Sequence, residues 1–138
     1  MLEHLFVYGT LRAESEHEMA LRLLTGAKLI GQGSAPGILY DLGEYPGTTF
    51  AADAKSRVIG DVFLLPEDTT LLAELDAYEG TAKEDEVYRR ITIEVQLASG
   101  GFIPCWTYQL SNVPARARAI PSGDFIVHLR SRKPRAGN

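Results

Sequence analysis

Cysteine is nearly missing: Cys105 stands alone in 138 residues, so no intrachain disulfide can form and no pair of thiols exists for a zinc site or a redox motif. Such a chain suits a reducing compartment, and a cytoplasmic location is expected. Long apolar runs are missing too, and nothing approaches the length of a bilayer span. Glu3 and His4 flank the first short apolar run and no basic segment precedes it, which is not how a signal peptide begins. Positive charge is neither abundant nor gathered. Fourteen Lys and Arg against eighteen Asp and Glu give a net charge of −4 with no basic stripe, which argues against nucleic-acid or membrane partners. Histidine is sparse, and His4, His17 and His128 show no ligand spacing, so surface or packing roles are expected rather than a metal site. No serine nucleophile elbow and no phosphate loop occur.

What is present is a hydrophobic content of 45%, enough for one substantial core and too little chain for two ordinary domains. A single domain over residues 1–129 is expected, followed by a flexible basic tail, 130–138, that contains Pro134. No repeat is visible, and nothing sets an oligomeric state. His4-Leu5-Phe6-Val7-Tyr8 reads as a buried first strand ended by Gly9. Ser15 and Glu18 have capping-box spacing, and Met19, Ala20, Leu23 and Leu24 then recur at helical intervals to Gly26, predicting a helix over 16–25.

Residues 27–65 are rich in Gly, Tyr, Val, Ile and Phe. Turn signals at Pro36-Gly37, Asp41-Leu42-Gly43 and Tyr45-Pro46-Gly47 divide them into several expected short antiparallel strands. Pro66-Glu67-Asp68-Thr69 suits the first turn of a second helix whose apolar face is Leu71, Leu72, Leu75 and Tyr78, ending at Glu79-Gly80. From Tyr88 to Leu97 the residues alternate, with Arg89, Ile91, Ile93, Val95 and Leu97 on one face. Ser99-Gly100-Gly101 then turns the chain into a partner strand, Phe102–Leu110. Strands outnumbering helices in this order predict an α+β domain with a curved or closed sheet.

Two places could carry chemistry. The turn Tyr8-Gly9-Thr10-Leu11-Arg12 follows a buried strand, so its backbone N–H groups are free either to converge on an anion or carbonyl oxygen, or simply to end the strand. Glu79 stands out on a helical wheel. Stepping about 100° per residue from Leu71 puts Leu75 at about 40°, Leu72 at about 100° and Glu79 at about 80°, inside the apolar arc. Glu74 falls at about 300°, toward solvent. Desolvation and the carbonyl ends of the helix would raise the pKa of a carboxylate so placed, as a general base near neutral pH requires. The alternative is a frayed last turn with Glu79 in water.

Asp76, at about 140°, lies at the edge of the apolar face and is expected to be solvated or bonded to nearby backbone. Cys105, beside Trp106 in a strand, reads as a buried hydrophobe rather than a nucleophile. Tyr88 and Tyr108 stand on the two hairpin strands, either as structural residues or with hydroxyls at a cavity mouth.

Taken together, Val7-Tyr8-Gly9-Thr10-Leu11-Arg12, Tyr45-Pro46-Gly47, Leu75-Asp76-Ala77-Tyr78-Glu79-Gly80 and Tyr88-Arg89-Arg90 occur in the order seen in the γ-glutamylcyclotransferase-like superfamily. The chain resembles its compact members most, the γ-glutamylamine cyclotransferases and their AIG2-like and bacterial relatives. The resemblance implies a small mixed barrel with helices around it and a cavity at one end. It implies that Tyr8, Gly9, Thr10 and Leu11 bind the glutamyl part of a small-molecule substrate, that Glu79 is catalytic, and that Tyr88 or Tyr108 orients the glutamyl group.

The implied reaction is intramolecular: the α-amine of a γ-glutamyl group attacks its own γ-carbonyl, giving 5-oxoproline and a free amine without metal or cofactor. Two other readings use the same scaffold. One is a non-catalytic module that binds a glutamyl-like metabolite or a protein; the other is a related acyl-removing step in a biosynthetic pathway.

Overall fold

The computed structural model describes residues 3–9, 18–42, 46–67, 70–79 and 88–132, with backbone alone at 18–20, 78–79 and 131–132. Among them are strands β1 (His4–Val7), β2 (Lys28–Asp41), β3 (Pro46–Phe50), β4 (Arg57–Leu64), β5 (Tyr88–Leu97), β6 (Phe102–Leu110) and β7 (Arg118–Ala119). The helices are α1 (Glu18–Gly26), α2 (Thr70–Glu79) and α3 (Phe125–Arg132).

The first strand explains the architecture. All of Leu5, Phe6, Val7 and Tyr8 are buried, which a strand with one wet face cannot achieve. Phe6 and Tyr8 point into one apolar cluster with Val58, Val62, Val95 and Cys105. Leu5 and Val7 point the opposite way, into a second cluster with Leu23 of α1 and Leu71 and Leu75 of α2. The first cluster is the inside of a barrel and the second is the layer between the barrel wall and the helices. Closure follows from the pairings. β4 joins β2 to β1 through antiparallel ladders, β1 lies parallel to β6, β6 pairs antiparallel with β5, and β5 returns to β2 at Gly33↔Leu97 and Ser34↔Gln96. The result is a five-stranded, mixed barrel with flanking helices, an α+β fold. β3 and β7 extend it by pairing with the far end of β2.

The β5–β6 hairpin has the expected limits and runs in register from Tyr88↔Leu110 to Gln96↔Phe102. Positive φ at Gly100 and Gly101 makes its turn possible without a Cβ clash. The stretch 28–41 differs from expectation: it is one long strand, not several. Pro36-Gly37 does not turn the chain but marks where β2 leaves β4 for β3. Pro36 pairs with the last residue of the β4 ladder, Arg57, and a Cβ on Gly37 would stand 2.5 Å from the Thr49 carbonyl oxygen. The glycine is there for close strand approach rather than for a turn. Pro46-Gly47 likewise opens β3.

Helix α2 begins at Thr70 instead of at Pro66, because Leu65 still carries the sheet onward, its N–H bonded to the Glu3 carbonyl. Helix α3 has no counterpart in the expected elements and takes in Arg130–Arg132, the start of the expected tail. It is capped by the Asp124 carboxylate, which accepts from the N–H groups of Ile126 and Val127 at 3.0 and 3.2 Å. Phe125 closes one side of the barrel cluster.

Candidate active site

The motif segments, distant in sequence, meet at one edge of the barrel. Gly9, at the start of the first turn, lies against Pro46 so closely that a Cβ there would sit 2.6 Å from Pro46 Cγ. Real Cβ atoms do not tolerate that distance, so the absence of a side chain at Gly9 lets the two turns touch. The Tyr88 hydroxyl donates to the Pro46 carbonyl and fixes the other side of the same residue. Thr10 and Leu11, the rest of the expected binding turn, lie outside the described residues.

Tyr108 is the hub. It lies two residues beyond Trp106, which pairs with Leu5 of β1. Two hydroxyls donate to its carbonyl: Tyr8 at 2.6 Å and Thr48, from β3, at 3.3 Å. The Tyr108 side chain is 3% exposed, and its own hydroxyl donates to Asp76 Oδ1 at 2.7 Å. Tyr8, Tyr88 and Tyr108 therefore all commit their protons to the protein.

Asp76, expected to be solvated or bonded to nearby backbone, is one-quarter exposed and has side-chain partners on the sheet. It faces the sheet, and besides Tyr108 it has Arg90 Nε at 3.5 Å. The Arg90 guanidinium lies over the Trp106 ring, 4.4 Å from its centre, and its enclosed Nη1 has no hydrogen-bond partner among the described residues. Neither Arg90 nor Trp106 was singled out from the sequence as a site residue. The available signal was parity: Arg90 and Tyr88 share a face of β5, opposite Val95, and that face is the one α2 covers.

On α2, Leu71 and Leu75 are buried, and Glu74 is exposed and paired with Arg22 of α1 at 3.1 Å, as the wheel predicted. The backbone of Glu79 forms the last residue of α2, one turn beyond Asp76; its side chain lies outside the described residues. Cys105 is buried inside the barrel, and desolvation pushes its thiol up to about 12, which makes it inert as a nucleophile. His128 pairs with Asp41 at 2.8 Å and belongs to the packing of α3. Among the described residues, no three His, Cys, Asp or Glu side chains gather as a metal site, and no helix is long and apolar enough to cross a membrane.

Comparison with known proteins places this geometry. No curated protein matches the chain. Among solved structures it is similar to YkqA from Bacillus subtilis, at 25% identity and a TM-score of 0.71 over 97% of this chain; the chain spans only 44% of YkqA. It is similar to ytfP from Escherichia coli at 31% identity, covering 91% of this chain and 97% of that one with a TM-score of 0.62. An aig2-like protein from Mus musculus shares the fold over 99% of both chains, at 21% identity and a TM-score of 0.69. The family model described as "Gamma-glutamyl cyclotransferase, AIG2-like" matches residues 5–127, a span that holds every motif segment converging at this edge of the barrel. The chain therefore belongs to the gamma-glutamyl cyclotransferase, AIG2-like family.

Proposed function

We propose that this protein cyclises a γ-glutamyl amine or γ-glutamyl peptide to 5-oxoproline, with Glu79 as general acid/base. The observation that carries the reading is the contact of Gly9 with Pro46 beside Tyr88 and Tyr108, at the edge of the barrel where α2 runs past the sheet toward Glu79.

Nucleophile and electrophile belong to the same substrate, so the protein's main task is to hold the glutamyl chain bent; effective molarities for well-oriented intramolecular reactions are on the order of 10⁵ M or more. The Tyr8–Leu11 turn holds the glutamyl portion. Backbone N–H groups in that turn take the α-carboxylate or the developing oxyanion. Glu79 removes a proton from the α-ammonium, and the amine forms the new C–N bond at the γ-carbonyl. The ring nitrogen gives up a second proton as the old C–N bond breaks, and the leaving amine departs as an ammonium carrying both. The proton on Glu79 goes to the departing nitrogen. No water is consumed and no cofactor takes part. The substrate is a small molecule, and the setting is the cytoplasm.

The test is incubation of the purified protein with a panel of γ-glutamyl amines and γ-glutamyl dipeptides, following 5-oxoproline by mass spectrometry. Product from the wild type and none from Glu79→Gln is expected. Binding of panel members to both proteins without product would instead favour a binding module on the same scaffold.

A further inference from the structure

We propose that Asp76 is a positioning residue for this reaction: through Tyr108 it sets the distance between the substrate-holding turn and the end of α2 that carries Glu79. The proposal rests on the cyclotransferase reading.

Helix α2 is anchored by apolar contacts through Leu71 and Leu75, and Ala77, beyond them, is exposed. Its last turn would be free to fray, since the final carbonyls of a helix lack intrahelical partners and terminal turns open at little cost. Asp76 is the anchor nearest that turn for which the structure gives side-chain contacts. It accepts the Tyr108 hydroxyl at 2.7 Å and faces the Arg90 guanidinium, which itself lies over Trp106. Charge-assisted bonds of this kind hold geometry more firmly than neutral ones.

Tyr108 is equally fixed on its other side, because its carbonyl receives the hydroxyls of Tyr8 and Thr48. Tyr8 opens the turn that holds the glutamyl group. A continuous line of bonds thus runs from that turn through one buried residue to the end of α2. Neither Asp76 nor Arg90 needs to touch the substrate for this line to matter, because a shift of about 1 Å in a reacting group can cost on the order of 100-fold in rate.

The test compares Asp76→Ala, Asp76→Asn, Tyr108→Phe and the Asp76→Ala/Tyr108→Phe double variant by steady-state kinetics well below their melting temperatures. Amide exchange at 77–79 is read in parallel. Asp76→Ala is expected to lower kcat about 10- to 100-fold with KM changed less than about threefold, and to speed exchange in the last turn of α2. Asp76→Asn, whose amide oxygen can still accept from Tyr108, should lose less. The double variant should fall no more than about threefold below Asp76→Ala, because both changes cut one link.

Should Asp76→Ala fail to fold, Asp76→Asn and Tyr108→Phe carry the test, each with a lowered kcat. Full kcat per folded molecule in these variants, alongside an active wild type and an inactive Glu79→Gln, overturns the positioning role alone. A raised KM with kcat intact overturns it too, by making the pair a binding group. A wild type silent across the panel overturns both this proposal and the function on which it rests.

Discussion

The inside of the barrel and the face beneath α2 are built from the same strands and could hardly differ more. Inside, Phe6, Val58, Val62, Val95 and Cys105 make a dry core, and the buried Thr107 hydroxyl is spent on the Phe6 carbonyl at 2.9 Å. On the outer face, alternate residues of β5 and β6 bring Arg90 and Tyr108 against Asp76, with Trp106 under Arg90. A closed barrel this small fills its interior with side chains. Its polar chemistry therefore collects at the rim and in the layer under the helix, where side-chain hydroxyls bond the Tyr108 carbonyl and Asp76.

The sharpest way to break the comparison is to remove the proposed acid/base, Glu79, while leaving both packing layers alone. Glu79→Gln is expected to lower kcat by roughly 100- to 10,000-fold, the range for losing a general acid or base, with the thermal melt close to wild type. Near-full activity in the folded variant would move catalysis elsewhere. The wheel argument for a raised Glu79 pKa adds a pH prediction: kcat/KM should rise with pH through an inflection above about 4.3, the ordinary glutamate value.

Next come matched cavities in the two layers. Leu39 inside the barrel and Leu75 under α2 are both buried, so Leu39→Ala and Leu75→Ala should each lower stability by about 2–5 kcal/mol. Only Leu75→Ala, on the helix that ends at Glu79, should also lower kcat per folded molecule. Denaturant melts and kinetics at low temperature would separate the two effects, and equal kcat losses would erase the distinction between the layers.

Gly9→Ala tests the rim. Forcing a Cβ toward Pro46 should cost about 1–3 kcal/mol and weaken substrate binding, seen as a lower Tm and a higher KM.

The interior makes a smaller and purely chemical prediction. With its pKa pushed up to about 12 by burial, the Cys105 thiol stays protonated in the folded protein while the unfolded chain ionises from about 9, so its contribution to stability is present below pH 9 and is lost as pH rises toward 12. Cys105→Ala should flatten that part of the stability–pH profile, and a thiol reagent at pH 8 should react with wild type only after unfolding. The smallest effect belongs to the exposed Arg22–Glu74 pair between the helices, where Glu74→Ala should change stability by less than about 1 kcal/mol.

The sequence was readable where local rules decide the outcome. The β5–β6 hairpin follows from alternation and two glycines, and the exposed side of α2 from its wheel. It was unreadable where a residue's meaning depends on who arrives next to it. Pro36-Gly37 has the composition of a turn, yet β2 passes through it because a second partner strand takes over there. Asp76 sat at the edge of the apolar arc, and Tyr108 stood in a strand of known pairing. Their bond spans 32 positions and depends on how α2 settles on the sheet, which periodicity does not encode. The barrel's closure at Gly33↔Leu97 is of the same kind.

The most direct measurement runs the reaction in ¹⁸O-enriched water with whichever γ-glutamyl amine gives the most product, and weighs the glutamyl product. Cyclisation consumes no water, so unlabelled 5-oxoproline in equal amount to the released amine is the expected result. Labelled glutamate would show that water, not the substrate's own amine, attacks the γ-carbonyl, and would contradict the account.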